Sequence, residues 1–148
     1  MNHDSTIVYT TSGTYYNRYE TAEGCASVDT LYLTVNYNSN LAYTDTACDS
    51  YTWVNHDSSM VYTTSGVYTN SYATTDGCSS VDTLYLTVNY NSNTAYTDTA
   101  CDSYMWERED STYTYTVSGT YTNAYLTGEG CPSVDTLYLT VNYNSNTA

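Results

Sequence analysis

Apolar and polar residues alternate with a period of two through the most regular stretches of this chain. Leu31, Leu33 and Val35 fall on one face, and Thr30, Tyr32 and Thr34 on the other. Leu84, Leu86 and Val88, then Leu137, Leu139 and Val141, repeat the pattern. Such alternation predicts strands with one dry and one wetter side. Threonine, tyrosine, serine and asparagine dominate, so helix signals are poor and strand signals strong. The middle of the chain reads as four strands, at about 49–54 around Trp53, 60–64, 67–74 and 81–90. Ser65-Gly66, Asp76-Gly77 and Asn91-Ser92-Asn93 supply the turns, and a short extended piece at 95–100 leads onward. Short turns favour antiparallel pairing. The tryptophan and the leucine face are the expected core.

The pattern recurs because the sequence does. Thirteen residues, Val-Asp-Thr-Leu-Tyr-Leu-Thr-Val-Asn-Tyr-Asn-Ser-Asn, stand unchanged at 28–40, 81–93 and 134–146, a spacing of 53 (81 − 28 and 134 − 81). Cys25, Cys78 and Cys131 keep that spacing, as do Cys48 and Cys101, and Trp53 and Trp106. A fixed period means small units that bury surface against themselves and their neighbours. The repeats run 1–42, 43–95 and 96–148. The first is incomplete: 43–53 has no counterpart before Met1, which aligns with Val54, and both ends read as cut from a longer pattern. The expected fold is all-β, a tandem array of small antiparallel, immunoglobulin-like β-sandwich modules. A continuous β-solenoid-like stack is the alternative, because the connector is short.

Units this small bury little surface and need a staple. Five cysteines at repeat positions read as a disulfide framework in an oxidising compartment. One register pairs Cys48 with Cys78 and Cys101 with Cys131, and leaves Cys25 unpaired or intermolecular. The other pairs Cys25 with Cys48 and Cys78 with Cys101, and leaves Cys131. The first closes loops of about 30 residues within a unit, near 3–4 kcal/mol each, and is preferred because the partner of Cys25 would lie in the missing segment.

Sixteen acidic residues face only Arg18 and Arg108, a net charge of −14. That repels nucleic acid and anionic lipid. No stretch approaches the length of a membrane span, so membrane insertion is not expected. Residues 1–25 carry no signal peptide; an exported protein would have lost it or carry it on a longer parent. No CxxC, HxxxH, DxDxDG, GxSxG or SxxK pattern occurs. His3 and His56 give way to Glu109 in the third repeat, and Glu107 and Glu109 beside Arg108 read as solvated charge. No enzyme, metal site or cofactor is expected, although carboxylates leave calcium open.

The order Cys48-Asp49-Ser50-Tyr51-Thr52-Trp53, Tyr62-Thr63-Thr64-Ser65-Gly66-Val67-Tyr68, Asp76-Gly77-Cys78 and Val81-Asp82-Thr83-Leu84-Tyr85-Leu86-Thr87-Val88 resembles the repeats of long secreted, adhesin-like proteins of Bacteroidota. The resemblance covers nearly the whole chain. It departs where the third copy reads Met105-Trp106-Glu107 and Cys131-Pro132. It implies an extracellular or cell-surface location. It also implies O-glycosylation at Asp-Ser/Thr triplets, with Ser5, Thr30, Thr46, Thr83, Thr99, Ser111 and Thr136 as candidates, foremost Thr46 and Thr99.

Twenty-one tyrosines and no phenylalanine suit surfaces packed on one side and wet on the other. Tyr15, Tyr19, Tyr68, Tyr72, Tyr121 and Tyr125 share one strand face, as candidates for assembly, for sugar stacking, or for a thin core with cross-strand ladders. The expectation is a non-enzymatic extracellular structural repeat protein whose copies assemble into a filament or surface stalk. The alternative is a monomeric adhesin segment that binds glycan or host protein.

Overall fold

The computed structural model describes residues 6–146, and every regular element in them is a strand. In chain order these are β1 (Gly13–Glu20), β2 (Ala26–Leu33), β3 (Ala42–Cys48), β4 (Tyr51–Asn55), β5 (Ser58–Tyr62), β6 (Gly66–Ala73), β7 (Ser79–Asn89), β8 (Ala95–Cys101), β9 (Tyr104–Arg108), β10 (Ser111–Tyr115), β11 (Gly119–Leu126) and β12 (Pro132–Asn142). They make several small separate sheets: β1-β2, β3-β7-β6, β4-β5, β11-β12-β8 and β10-β9. Among the described residues the fold is all-β and sandwich-like, with no closed barrel. Packing divides the chain into two compact units, one of Met1–Tyr43 with Thr69–Thr83, the other of Thr44–Tyr68 with Leu84–Ala148. These limits cut across the repeat 43–95.

In the first unit β1 and β2 pair antiparallel from Gly13↔Leu33 to Glu20↔Ala26. Their turn closes on Thr21, whose N–H donates to the Cys25 carbonyl at 2.9 Å while its Oγ1 accepts the Cys25 N–H at 3.2 Å. Gly24 sits at φ +81, left-handed backbone that glycine adopts without a Cβ clash.

In the second unit the third repeat is complete. β11 pairs antiparallel with β12, and β9 with β10. β8 pairs with β12 in parallel, from Thr136↔Ala95 to Asn142↔Cys101. The piece expected as an extended connector is therefore a strand of the sheet, and the modules are not purely antiparallel. Two cores lie in this unit. Trp53, Leu84, Leu86 and Val88 pack with Tyr51, Tyr62 and Tyr68. Trp106, Leu137, Leu139 and Val141 pack with Tyr96, Tyr104, Tyr115 and Tyr121. Each leucine fully buried contributes about 1.5–3 kcal/mol. The predicted Trp and Leu face is the core, but only where a tryptophan strand covers it. Leu84 and Leu137 are 0% exposed, whereas Leu31, in the copy without a tryptophan, is 46% exposed.

The disulfide pairing differs from both expected registers. Cys48 is bonded to Cys131, with Cα atoms 5.6 Å apart, while Cys25, Cys78 and Cys101 are free thiols. The parallel direction of β8 explains this. Cys101, at its C-terminal end, lies beside Asn142 at the far end of β12, and Cys131 precedes the near end. At about 3.3 Å per residue the two are about 35 Å apart, far beyond the reach of a disulfide. Cys48 is placed likewise, since the Asp49 N–H donates to the Asn89 carbonyl at the end of β7 at 2.7 Å. A cysteine opening one repeat thus reaches the turn cysteine of the following repeat, not its own.

Candidate functional site

The identical block and the serine just before it place polar residues on the face where the period-two pattern puts apolar ones. Ser80, Asp82, Leu84, Leu86 and Val88 alternate along the inner face of β7, and Ser133 and Asp135 hold the matching places on β12. Ser80 and Ser133 are 2% exposed, Asp82 and Asp135 0%. Buried polar groups need partners, and the Asn-Ser-Asn tail of the preceding repeat supplies them.

In the first unit, Ser39 N–H donates to Ser80 Oγ at 2.9 Å and Leu41 N–H to Asp82 Oδ1 at 2.9 Å. Val81 N–H donates to Asn40 Oδ1 at 2.8 Å, Thr83 N–H to the Leu41 carbonyl at 2.8 Å, and the Tyr72 hydroxyl to the Ser39 carbonyl. The second unit repeats every bond one period on. Ser92 N–H meets Ser133 Oγ at 2.9 Å, Thr94 N–H meets Asp135 Oδ1 at 3.0 Å, and Val134 N–H meets Asn93 Oδ1 at 2.8 Å. Thr136 N–H meets the Thr94 carbonyl at 2.9 Å, and the Tyr125 hydroxyl meets the Ser92 carbonyl. Carboxylate acceptors make such bonds stronger than neutral ones.

The second unit adds three fastenings. Asp135 also holds the Arg108 guanidinium, which lies over the Tyr96 and Trp106 rings at 4.9 and 5.5 Å. Asp49, in left-handed backbone at φ 65, grips the Asn91 N–H through Oδ1 at 3.1 Å and the Asn91 side-chain amide through Oδ2 at 2.9 Å. Asp102 holds Asn144 in the same way. The Cys48–Cys131 bond then ties repeats two and three covalently.

The six candidate tyrosines divide into two roles. Tyr15, Tyr68 and Tyr121 stack on Tyr9, Tyr62 and Tyr115 at 3.8, 3.7 and 3.6 Å and donate to the carbonyls of Thr11, Thr64 and Val117. They form local ladders. Tyr72 and Tyr125 clamp the incoming tail. Tyr19 is the equivalent clamp in the first copy, where its hydroxyl lies 3.3 Å from Asp29 Oδ1.

Of the candidate glycosylation residues, Ser5 lies outside the described residues. Thr30, Thr46 and Thr99 are exposed on β2, β3 and β8, while Thr83, Ser111 and Thr136 are half-buried. Thr83 and Thr136 also follow fully buried aspartates. At the exposed sites the acid is engaged locally. The Tyr51 hydroxyl first, and the Thr46 N–H second, hold the Asp45 carboxyl below its usual range, and Asp45 in turn pushes the Tyr51 phenol up. Tyr104, Thr99 and Asp98 repeat the arrangement.

A groove of about 390 Å³ opens beside Arg108, Glu109, Ser111, Asn123 and Tyr125. Among the described residues no His, Cys, Asp and Glu gather to hold a metal ion. None of these residues forms a helix long and apolar enough to cross a membrane. The disulfide is compatible with an extracellular protein. No family model, curated protein or solved structure matches the chain.

Sequence reasoning missed Ser80, Asp82, Ser133 and Asp135 as junction residues. The signal was present: the block's dry face opens with two polar positions, identical in all copies, and ends in an equally invariant polar tail.

Proposed function

We propose that this chain is a non-enzymatic, extracellular structural repeat protein whose units join end to end and assemble into a filament or surface stalk. The observation that carries the reading is the repeat junction. Buried Ser80 and Asp82, and again Ser133 and Asp135, are satisfied by the tail of the preceding repeat. Each repeat thus carries a donor tail at one end and an acceptor face at the other, a heterologous contact that propagates rather than closing on itself. A disulfide that crosses repeats, and an acidic surface that limits nonspecific clumping, suit an exposed, load-transmitting array. The resemblance to Bacteroidota surface proteins agrees with that location, and O-glycans would attach most readily at Thr46 and Thr99.

Negative-stain microscopy of unreduced native material tests the reading, with regular filaments as the expected result. Dispersed particles that bind a glycan array would replace it with a monomeric adhesin segment. Tyr32, Tyr85 and Tyr138, exposed at 81%, 50% and 50%, would then be the first rings to examine for sugar stacking.

A further inference from the structure

We infer that residues 1–148 join head to tail: the Asn144-Ser145-Asn146 tail of one copy docks on β2 of a second, and a disulfide between Cys101 and the second copy's Cys25 locks the joint. This rests on the assembly reading above and specifies its contact.

The junction occurs twice within the chain with the same bonds, and the sequence carries both halves of a third. The donor half is Asn144-Ser145-Asn146-Thr147-Ala148, which matches Asn91–Ala95 residue for residue. The acceptor half is Ser27-Val28-Asp29, which matches Ser80–Asp82 and Ser133–Asp135 in residue type and spacing. Among the described residues β2 pairs only with β1, whereas β7 and β12 each have neighbours on both sides. Ser27 is accordingly half-buried and Asp29 exposed, where their equivalents are buried. Tyr19 already stands against Asp29 at 3.3 Å, as Tyr125 stands against Asp135 at 3.4 Å. Equivalent bonds would run from Ser145 N–H to Ser27 Oγ and from Val28 N–H to Asn146 Oδ1.

The cysteines obey the same translation. Cys48 joins Cys131, the turn cysteine that the following repeat presents 83 residues on. In the 53-residue register Cys101 is the equivalent of Cys48 (48 + 53) and Cys25 the equivalent of Cys131 (131 − 106), so Cys101 and the Cys25 of a second copy stand in the relation of the bonded pair. Both thiols are exposed, and Cys78 is not. Each is presented as its bonded counterpart is. Asp102, after Cys101, sits at φ 65 with its N–H on Asn142 at 2.7 Å, matching Asp49 at φ 65 on Asn89 at 2.7 Å. The Cys25 turn closes on Thr21 at 2.9 Å with Gly24 at φ 81, matching Thr127 at 2.9 Å with Gly130 at φ 84. Cys78 is a free, half-buried thiol.

The bond forms by exchange with a low-molecular-weight disulfide such as oxidised glutathione. The Cys101 thiolate attacks one sulfur and releases a small thiol. The second copy's Cys25 thiolate then attacks the Cys101 sulfur of the mixed disulfide and releases the other. Two protein thiols are oxidised and one small disulfide is reduced to two thiols.

The test uses full chains with Cys78→Ser throughout, incubated in glutathione redox buffer and run on nonreducing gels. The parent should form a ladder of covalent multimers. Cys25→Ser alone and Cys101→Ser alone should stay monomeric, and an equal mixture of the two should give dimers only. In the parent, Ser27→Ala with Asp29→Ala should slow cross-linking at least about tenfold, as loss of two to three hydrogen bonds implies. Both residues lie on an exposed edge, so unchanged melting temperature confirms the fold. Dimers from either variant alone in the same yield as from the mixture, or no dimer from the mixture, would overturn the contact. Filaments from native material together with a failed cross-link would leave assembly standing and this contact refuted. Dispersed native particles with a failed cross-link would refute both.

Discussion

Replacing Cys48 and Cys131 together by serine should lower stability far more than replacing Cys78 and Cys101 together. The bond closes a loop with a sequence separation of 83. The chain-entropy relation gives about 15 cal/mol/K for that loop, or about 4.5 kcal/mol at 25 °C. With an unfolding entropy of about 2.1 cal/mol/K per residue, the expected fall in melting temperature is about 15 °C. Cys78 and Cys101 are free thiols, so their replacement should cost less than about 1 kcal/mol, within about 3 °C. Circular dichroism melts of the two variants, and of reduced wild type, read the difference. Reduction is the cleaner arm, since serine in place of fully buried Cys131 adds an unpaired hydroxyl. Trypsin supplies a chemical check, because the only cleavable residues are Arg18 and Arg108. Unreduced digests should keep fragment 19–108 joined to 109–148, and the link should survive Cys101→Ser but not Cys48→Ser. Equal destabilisation of the two double variants, or a link that survives Cys48→Ser and not Cys101→Ser, would show that the cysteines pair within repeats and refute the reasoning.

Asp135→Asn should cost about 3 kcal/mol, the low end for breaking a buried pair because the Arg108 side chain keeps 20% exposure. Adding Arg108→Asn, which copies buried Asn55 of the middle repeat, should recover about half in a double-mutant cycle. Leu84→Ala and Leu137→Ala should each cost about 3 kcal/mol by urea denaturation, against under about 1 kcal/mol for half-exposed Leu31→Ala in monomer. Asp45 and Asp98 are depressed in the folded state, so their contribution is present above the ordinary value of 3.8 and is lost as pH falls through the folded value. Tyr51 and Tyr104 are raised, so theirs is present below 10.0 and is lost as pH rises through the folded value. Melting temperature followed across both limbs should fall less steeply at each end in Tyr51→Phe/Tyr104→Phe than in wild type.

The strands and their core were written in the local pattern. Alternation along Leu84, Leu86 and Val88, and turn residues such as Asp76-Gly77, determine an extended backbone and its buried face without reference to anything distant. Gly77 indeed takes φ +83. The repeat likewise gives Tyr15, Tyr68 and Tyr121 the same local stacking in each copy. What the pattern could not carry is which copy meets which. Whether 95–100 was a connector or a strand, and in which direction it paired, depended on β12, some forty residues away; that direction decided that Cys48 finds Cys131 and not Cys78. Within the same sequence, Val-Asp-Thr-Leu, the aspartate and leucine are buried as Asp82, Leu84, Asp135 and Leu137 and exposed as Asp29 and Leu31, since burial belongs to the neighbouring strands and not to the residues themselves. Asp82 and Asp135 have no part in the packing expected from sequence. Only the packed chain shows them to be sockets, because their partners lie in the preceding repeat, about 41 residues away in sequence.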